Sequence, residues 1–219
     1  MKPARPARPW IQIAIDARDL ATAESMARSA ALAGADWIEA GTPLIVYQGI
    51  EVIARIAAWG GRPVVADFKA MDGVAKYFRS ARELGAQVAV VLASAPEASI
   101  AAACEAKRDT GIEVMVDLIG VADRAARARA AEGVGADYIM LHLGHDEGRA
   151  DPGKHVLDGL DEVVAAVSLP VGVSTFTPGE ATEAIRRGAS FVVQGEPILS
   201  APDRDERLRR FVDAVKDLA

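Results

Sequence analysis

The sequence predicts a single-domain (β/α)8 barrel over residues 10–219, preceded by a short basic arm at residues 1–9. Three observations carry the prediction. Apolar, β-rich runs alternate with alanine-rich helical runs along the chain, the pattern of a parallel sheet covered by helices. A Gly-Ala motif recurs at Gly34-Ala35-Asp36, Gly85-Ala86-Gln87, Gly135-Ala136-Asp137 and Gly188-Ala189-Ser190, at spacings of 51, 50 and 53 residues. The apolar runs end in charged residues, where parallel strands are ordinarily hydrophobic throughout.

Taken in order, the expected strands are Trp10–Asp16, Trp37–Ala40, Pro63–Lys69, Gln87–Ala93, Ile112–Leu118, Tyr138–His142, Pro170–Ser174 and Phe191–Gln194. Helical periodicity follows each, as in Ala21–Ala33, Val74–Leu84, Ala98–Arg108, Arg124–Glu132 and Arg204–Leu218. Thr42-Pro43 is a turn that also starts the second helical segment. Each repeated glycine sits where a helix needs a left-handed cap, about two residues before the next strand. The period therefore holds two βα units. An open sheet can show two or three such units, whereas a fourfold period filling the chain favours closure into a barrel.

Composition bounds the function. With 51% hydrophobic and 26% charged residues, the chain suits a globular protein with a sizeable core. A net charge of −6 argues against a nucleic-acid surface but leaves small anionic substrates open. The one cysteine, Cys104, excludes an internal disulfide, reads as a small buried helix residue and suits a reducing, cytoplasmic compartment. No apolar run reaches the roughly 18 residues of a membrane helix. Residues 1–9 carry Lys2, Arg5 and Arg8 among three prolines and read as a flexible or polyproline-like arm, with no apolar signal region after it.

The chemistry collects at the carboxyl ends of the strands, where barrels of this kind place their active sites. The first strand ends at Asp16, the second at Glu39, the third at Asp67 and Lys69, the fifth at Asp117 and the sixth at His142. Asp67 and Lys69 are two apart and so share one side of a strand. Asp72 lies just beyond. Flanking carboxylates keep a lysine charged and fix its ammonium, which can then stabilise negative charge on a substrate oxygen.

The segment Asp67-Phe68-Lys69-Ala70-Met71-Asp72 resembles the D-x-K-x-x-D pattern of the orotidine 5′-monophosphate decarboxylase suprafamily. Its context is Ile38-Glu39-Ala40-Gly41-Thr42-Pro43, Val116-Asp117-Leu118-Ile119-Gly120 and Leu141-His142-Leu143-Gly144-His145-Asp146. The whole set is similar to the 3-hexulose-6-phosphate synthase group, with 3-keto-L-gulonate-6-phosphate decarboxylases as near relatives. The resemblance runs from about Gln12 to Ala201 and implies a (β/α)8 lyase working through a magnesium-stabilised enediolate. It implies condensation of formaldehyde with ribulose 5-phosphate, reversibly, or decarboxylation of a 3-keto sugar acid phosphate. By that resemblance Glu39 and Asp67 hold Mg2+, Lys69 adds a second positive charge, His142 shuttles a proton, and Asp16 and Asp117 bind substrate hydroxyls or orient Lys69. Asp72 reaches into a partner's site, which implies a homodimer with shared active sites. His145 is a substrate contact or a surface histidine, and His155 a surface residue.

The pattern breaks at the expected phosphate loops. Ser174 and Thr175 stand where the group carries a glycine pair. After the eighth strand Gly195 keeps an expected glycine, but Glu196 and Pro197 follow it. Pro197 removes an N–H donor and Glu196 brings negative charge. Ser174, Thr175 and Thr177 can compensate as hydroxyl donors, while Glu196 can turn outward or pair with Arg149 or Arg187. A same-group enzyme with a different, unphosphorylated substrate, or a non-catalytic ligand-binding barrel, stays open on this reading.

Overall fold

A computed structural model describes residues 8–218. The arm at residues 1–9 therefore lies, as far as residue 7, outside the described residues. The elements run β1 (Trp10–Ile15), α1 (Leu20–Ala33), β2 (Trp37–Ala40), α2 (Thr42–Gln48), α3 (Val52–Gly60), β3 (Val64–Ala70), α4 (Val74–Glu83), β4 (Val88–Leu92) and α5 (Glu97–Thr110). They continue β5 (Glu113–Asp117), α6 (Arg124–Val134), β6 (Tyr138–Leu141), α7 (His145–Ala150), α8 (Leu160–Ala166), β7 (Val171–Thr175), α9 (Pro178–Arg186), β8 (Phe191–Gln194) and α10 (Arg204–Lys216). All eight strands pair in parallel and β8 closes on β1, so the sheet is a closed barrel.

The repeat has a physical cause. Gly34, Gly85, Gly135 and Gly188 all adopt positive φ, between 93° and 109°. At each, the following alanine N–H turns back onto a carbonyl of the helix it leaves, as from Ala35 to Ala30 at 3.1 Å. The next side chain then caps the previous strand. Asp36 Oδ2 accepts from Ile11 N at 2.9 Å, Gln87 Oε1 from Val64 N at 2.5 Å and Asp137 Oδ2 from Val114 N at 2.9 Å.

Side chains alternate between two cores. Those pointing outward pack against the buried faces of the helices, which include Cys104 of α5. Those pointing inward fill the barrel. Trp10, Trp37, Tyr138 and Phe191 are the first residues of their strands and plug the amino-end mouth, with Trp37 5.0–5.6 Å from the other three ring centroids. Val65, Val90, Met115, Met140 and Val193 form the layer above. The plug needs room at β7. A Cβ on Gly172 would stand 2.1–2.4 Å from the Phe191 ring. We expect Gly172→Ala to cost about 2 kcal/mol of stability through overpacking. Urea denaturation checks this, and an unchanged midpoint would contradict it.

Candidate active site

The inward parity that places Trp37, Val65, Met115 and Met140 in the barrel carries on, two residues later, to Glu39, Asp67, Asp117 and His142. The carboxyl-end mouth opens into a cavity of about 670 Å³ lined by Asp16, Glu39, Asp67, Lys69, His142, His145, Ser174, Thr175 and Gly195. Asp117 is fully buried beneath them. Asp72 is exposed and does not line its own barrel's cavity. A larger groove, about 840 Å³, runs outside the barrel past Arg124, Lys154 and Glu162 and contains none of these strand-end residues.

Lys69 is the hub. Its Nζ lies 2.8 Å from Asp67 Oδ2 and 3.5 Å from Asp117 Oδ2. Burial acts to lower its pKa, but the charges of Asp67 and Asp117 outweigh it and push it above the ordinary value. The ammonium is thus permanently charged. Its backbone differs from the regular strand expected from sequence. The pairing of β3 with β4 slips between Asp67 and Ala70, and Lys69 has φ 44°. A bulge and a left-handed residue, not simple alternation, aim the ammonium. Two bonds hold the kink: Lys69 N–H donates to Asp67 Oδ1 at 3.1 Å, and Thr42 Oγ1 lies 2.9 Å from the Asp67 carbonyl and 3.0 Å from Asp67 Oδ2.

Asp117 ties the lysine to the histidine. Its Oδ2 is 2.8 Å from His142 Nδ1, and its Oδ1 accepts from Ile119 N at 2.9 Å. Burial alone would raise this carboxyl. His142, then Lys69 and the Ile119 N–H, hold it below the ordinary value. An ionised Asp117 assigns the proton to Nδ1 and leaves Nε2 of His142 as the free nitrogen of a cavity-lining imidazole.

Glu39 has the opposite character. Burial, then the charges of Asp67 and Asp16, push its carboxyl well above the ordinary range. Gln12 Nε2 donates to Glu39 Oε2, while Gln12 Oε1 is buried without a partner among the described residues. Asp16 stands exposed at the rim of the mouth, where crowding by the cavity wall, then the charge of Asp67, raises its carboxyl too. Gly41 permits that placement, since a Cβ there would lie 2.0 Å from Asp16 Oδ1. Sequence reasoning missed Gln12 and the hydroxyl of Thr42. Gln12 had a visible signal: a polar residue on the inward parity of β1.

The loops correct two expectations. Thr175 Oγ1 is buried and bonds to the Val193 carbonyl at 3.2 Å, so its one proton is spent inside the barrel. Glu196 is exposed at the cavity rim, in keeping with the outward alternative, and pairs with neither Arg149 nor Arg187. Its carboxylate accepts from Ser200 N at 3.2 Å, and Arg187 instead binds Asp161 at 2.8 Å. His155 is exposed, with Nε2 3.9 Å from Glu180 Oε1.

Because its carboxyl is lowered on folding, Asp117 contributes fully above its unfolded pKa of about 3.9 and loses that contribution as pH falls through the folded value. We expect Asp117→Asn to cost about 3 kcal/mol at neutral pH, since Lys69 and His142 lose a buried partner. The gap from wild type should narrow on acidification from about pH 5 toward 2. Urea melts across that range check it, and a gap that stays constant would contradict the account.

The chain is similar to known proteins over most of its length. Residues 9–211 match the orotidine 5′-phosphate decarboxylase / HUMPS family. The 3-hexulose-6-phosphate synthase of Mycobacterium gastri is 35% identical over 88% of this chain and 93% of its own. That of Bacillus subtilis (strain 168) is 30% identical over 78% and 82%. A crystal structure of a 3-hexulose-6-phosphate synthase superposes with a TM-score of 0.87 at 31% identity, covering 94% of this chain and 99% of that one. A 3-keto-L-gulonate-6-phosphate decarboxylase from Vibrio cholerae superposes at 0.80 with 25% identity, covering 95% and 99%. The chain belongs to the orotidine 5′-phosphate decarboxylase / HUMPS family.

Proposed function

We propose that the chain is a carbon–carbon lyase of the 3-hexulose-6-phosphate synthase type, joining formaldehyde to the enediolate of ribulose 5-phosphate and reversing that reaction. The observation that carries this reading is the Asp67–Lys69–Asp117–His142 array: a fixed ammonium beside an oriented imidazole in one cavity. Nε2 of His142 takes a proton from the carbon next to the ketose carbonyl and returns it in the reverse direction. The ammonium of Lys69 neutralises charge on the oxygen that becomes anionic. Asp117 keeps both groups in place. Asp16 accepts from substrate hydroxyls at the mouth, with Ser174 and His145 as further polar contacts and Gly195 leaving space beside it.

A divalent cation such as Mg2+ fits the residues present. Glu39 and Asp67 offer hard oxygen donors, and a cation relieves the crowding of negative charge that adds to burial in raising Glu39. Bound there, it would withdraw charge from the substrate's oxygens. Among the described residues no group of three His, Cys, Asp or Glu forms a cage.

The expected result is formaldehyde consumption with ribulose 5-phosphate, lost on chelation and restored by Mg2+. Lys69→Ala and His142→Ala should each lower kcat about 100-fold or more. No consumption at high enzyme concentration would reject the reading, and carbon dioxide release from 3-keto-L-gulonate 6-phosphate would move it to the decarboxylase side of the family.

The assembly is a homodimer in which Asp72 completes the partner's site. Asp72 is exposed between exposed Met71 and Tyr77, apolar side chains suited to contact with a second copy. No described helix is long and apolar enough to cross a membrane, and a cytoplasmic location accords with the buried free thiol of Cys104. Mixing inactive Lys69→Ala and Asp72→Asn chains should restore part of the activity, because one site of each mixed dimer is then intact. No recovery after confirmed subunit exchange would place Asp72 outside the partner's chemistry.

A further inference from the structure

Barrels of this class commonly hold a substrate phosphate on N–H groups after the seventh and eighth strands. Here the protein's own carboxylates occupy donors in both places. After β7, the N–H groups of Phe176 and Thr177 donate to Glu180 Oε2 at 2.8 and 2.9 Å. After β8, Glu196 Oε2 takes the Ser200 N–H at 3.2 Å and also the Ser200 hydroxyl. Pro197 has no N–H to give, and the Gln194 amide donates to the carbonyls of Gly195 and Glu196 at 3.4 and 3.2 Å. The hydroxyl of Thr175 is spent on Val193.

The charge of the cavity points the same way. Among the described residues, six carboxylates line it, from Asp16, Glu39, Asp67, Asp146, Glu147 and Glu196, against one permanent cation, Lys69. Lys69 is itself held by Asp67 and Asp117. Lys154 is paired with Glu147, one of these carboxylates, at 2.5 Å. Glu196 stands close enough to Asp16 for its charge to act there, so the β8–β1 side of the mouth is acidic.

We infer that Glu196 is a specificity-determining residue that turns the distal end of this site away from a phosphate and lets an unphosphorylated ketose compete as substrate. The inference rests on the lyase reading above for its catalytic readout. A phosphate dianion entering beside Glu196 meets like charge, with the Phe176, Thr177 and Ser200 N–H groups already taken by the protein's own carboxylates, whereas a neutral hydroxymethyl group meets acceptors it can use. Glutamine at 196 keeps an oxygen for the Ser200 N–H and removes only the charge.

The test measures kcat/KM for ribulose 5-phosphate and for ribulose, each with formaldehyde and Mg2+, in wild type and Glu196→Gln. Wild type should favour the phosphorylated ketose by no more than about tenfold, and Glu196→Gln should raise that preference by a further tenfold or so. Calorimetric titration with inorganic phosphate, which needs no turnover, should show tighter binding to the variant. A wild-type preference of several orders of magnitude for ribulose 5-phosphate, or a variant whose preference and phosphate affinity do not rise, would overturn the inference. If wild type turns over neither ketose, the lyase reading fails, and the phosphate titration alone still decides the role of Glu196.

Discussion

The site depends on one ammonium held between two buried carboxylates. Lys69 bridges Asp67 and Asp117, and each partner is itself anchored, Asp67 by Thr42 and Asp117 by His142 and the Ile119 N–H. Removing any one charge leaves another uncompensated in a poorly solvated place, which is why the array is rigid as well as polar. The same contacts separate the protonation states of the two ends. Asp117 is held ionised and Glu39 is driven toward neutrality, although both are inward-facing carboxylates on neighbouring tiers of one barrel. A cation beside Glu39 would offset that drive.

The fold serves this array by closing the opposite mouth. Four aromatic rings at the strand starts fill the amino end, and the aliphatic layer above them keeps water from the floor of the cavity. Period-two alternation then delivers every inward strand-end residue to the same rim without special loops. The exception is Lys69, whose bulge and left-handed backbone concentrate strain at the one residue that must meet two partners.

Much of this was legible in the sequence. The Gly-Ala repeat marked the helix-to-strand turns because cap geometry demands glycine, and the interrupted hydrophobicity of the strands marked Asp16, Glu39, Asp67, Asp117 and His142 because uncompensated buried charge is costly. What stayed hidden depends on contacts between distant segments. The bond from Thr42 to Asp67, that from Gln12 to Glu39 and the capture of the Phe176 and Thr177 N–H groups by Glu180 leave no period in the chain. The bulge at Lys69 was hidden for a different reason: its residue type gives no warning of positive φ.

The central claim is that this mouth makes a ketose carbanion equivalent by moving a proton through His142 beside the Lys69 ammonium. Its most direct test is NMR of ribulose 5-phosphate and of ribulose in D2O with enzyme and Mg2+ but no formaldehyde. The account predicts exchange of one C1 proton of the accepted ketose for deuterium, abolished in His142→Ala. Formaldehyde consumption by an enzyme that never exchanges that proton, or exchange that persists undiminished without His142, would contradict it.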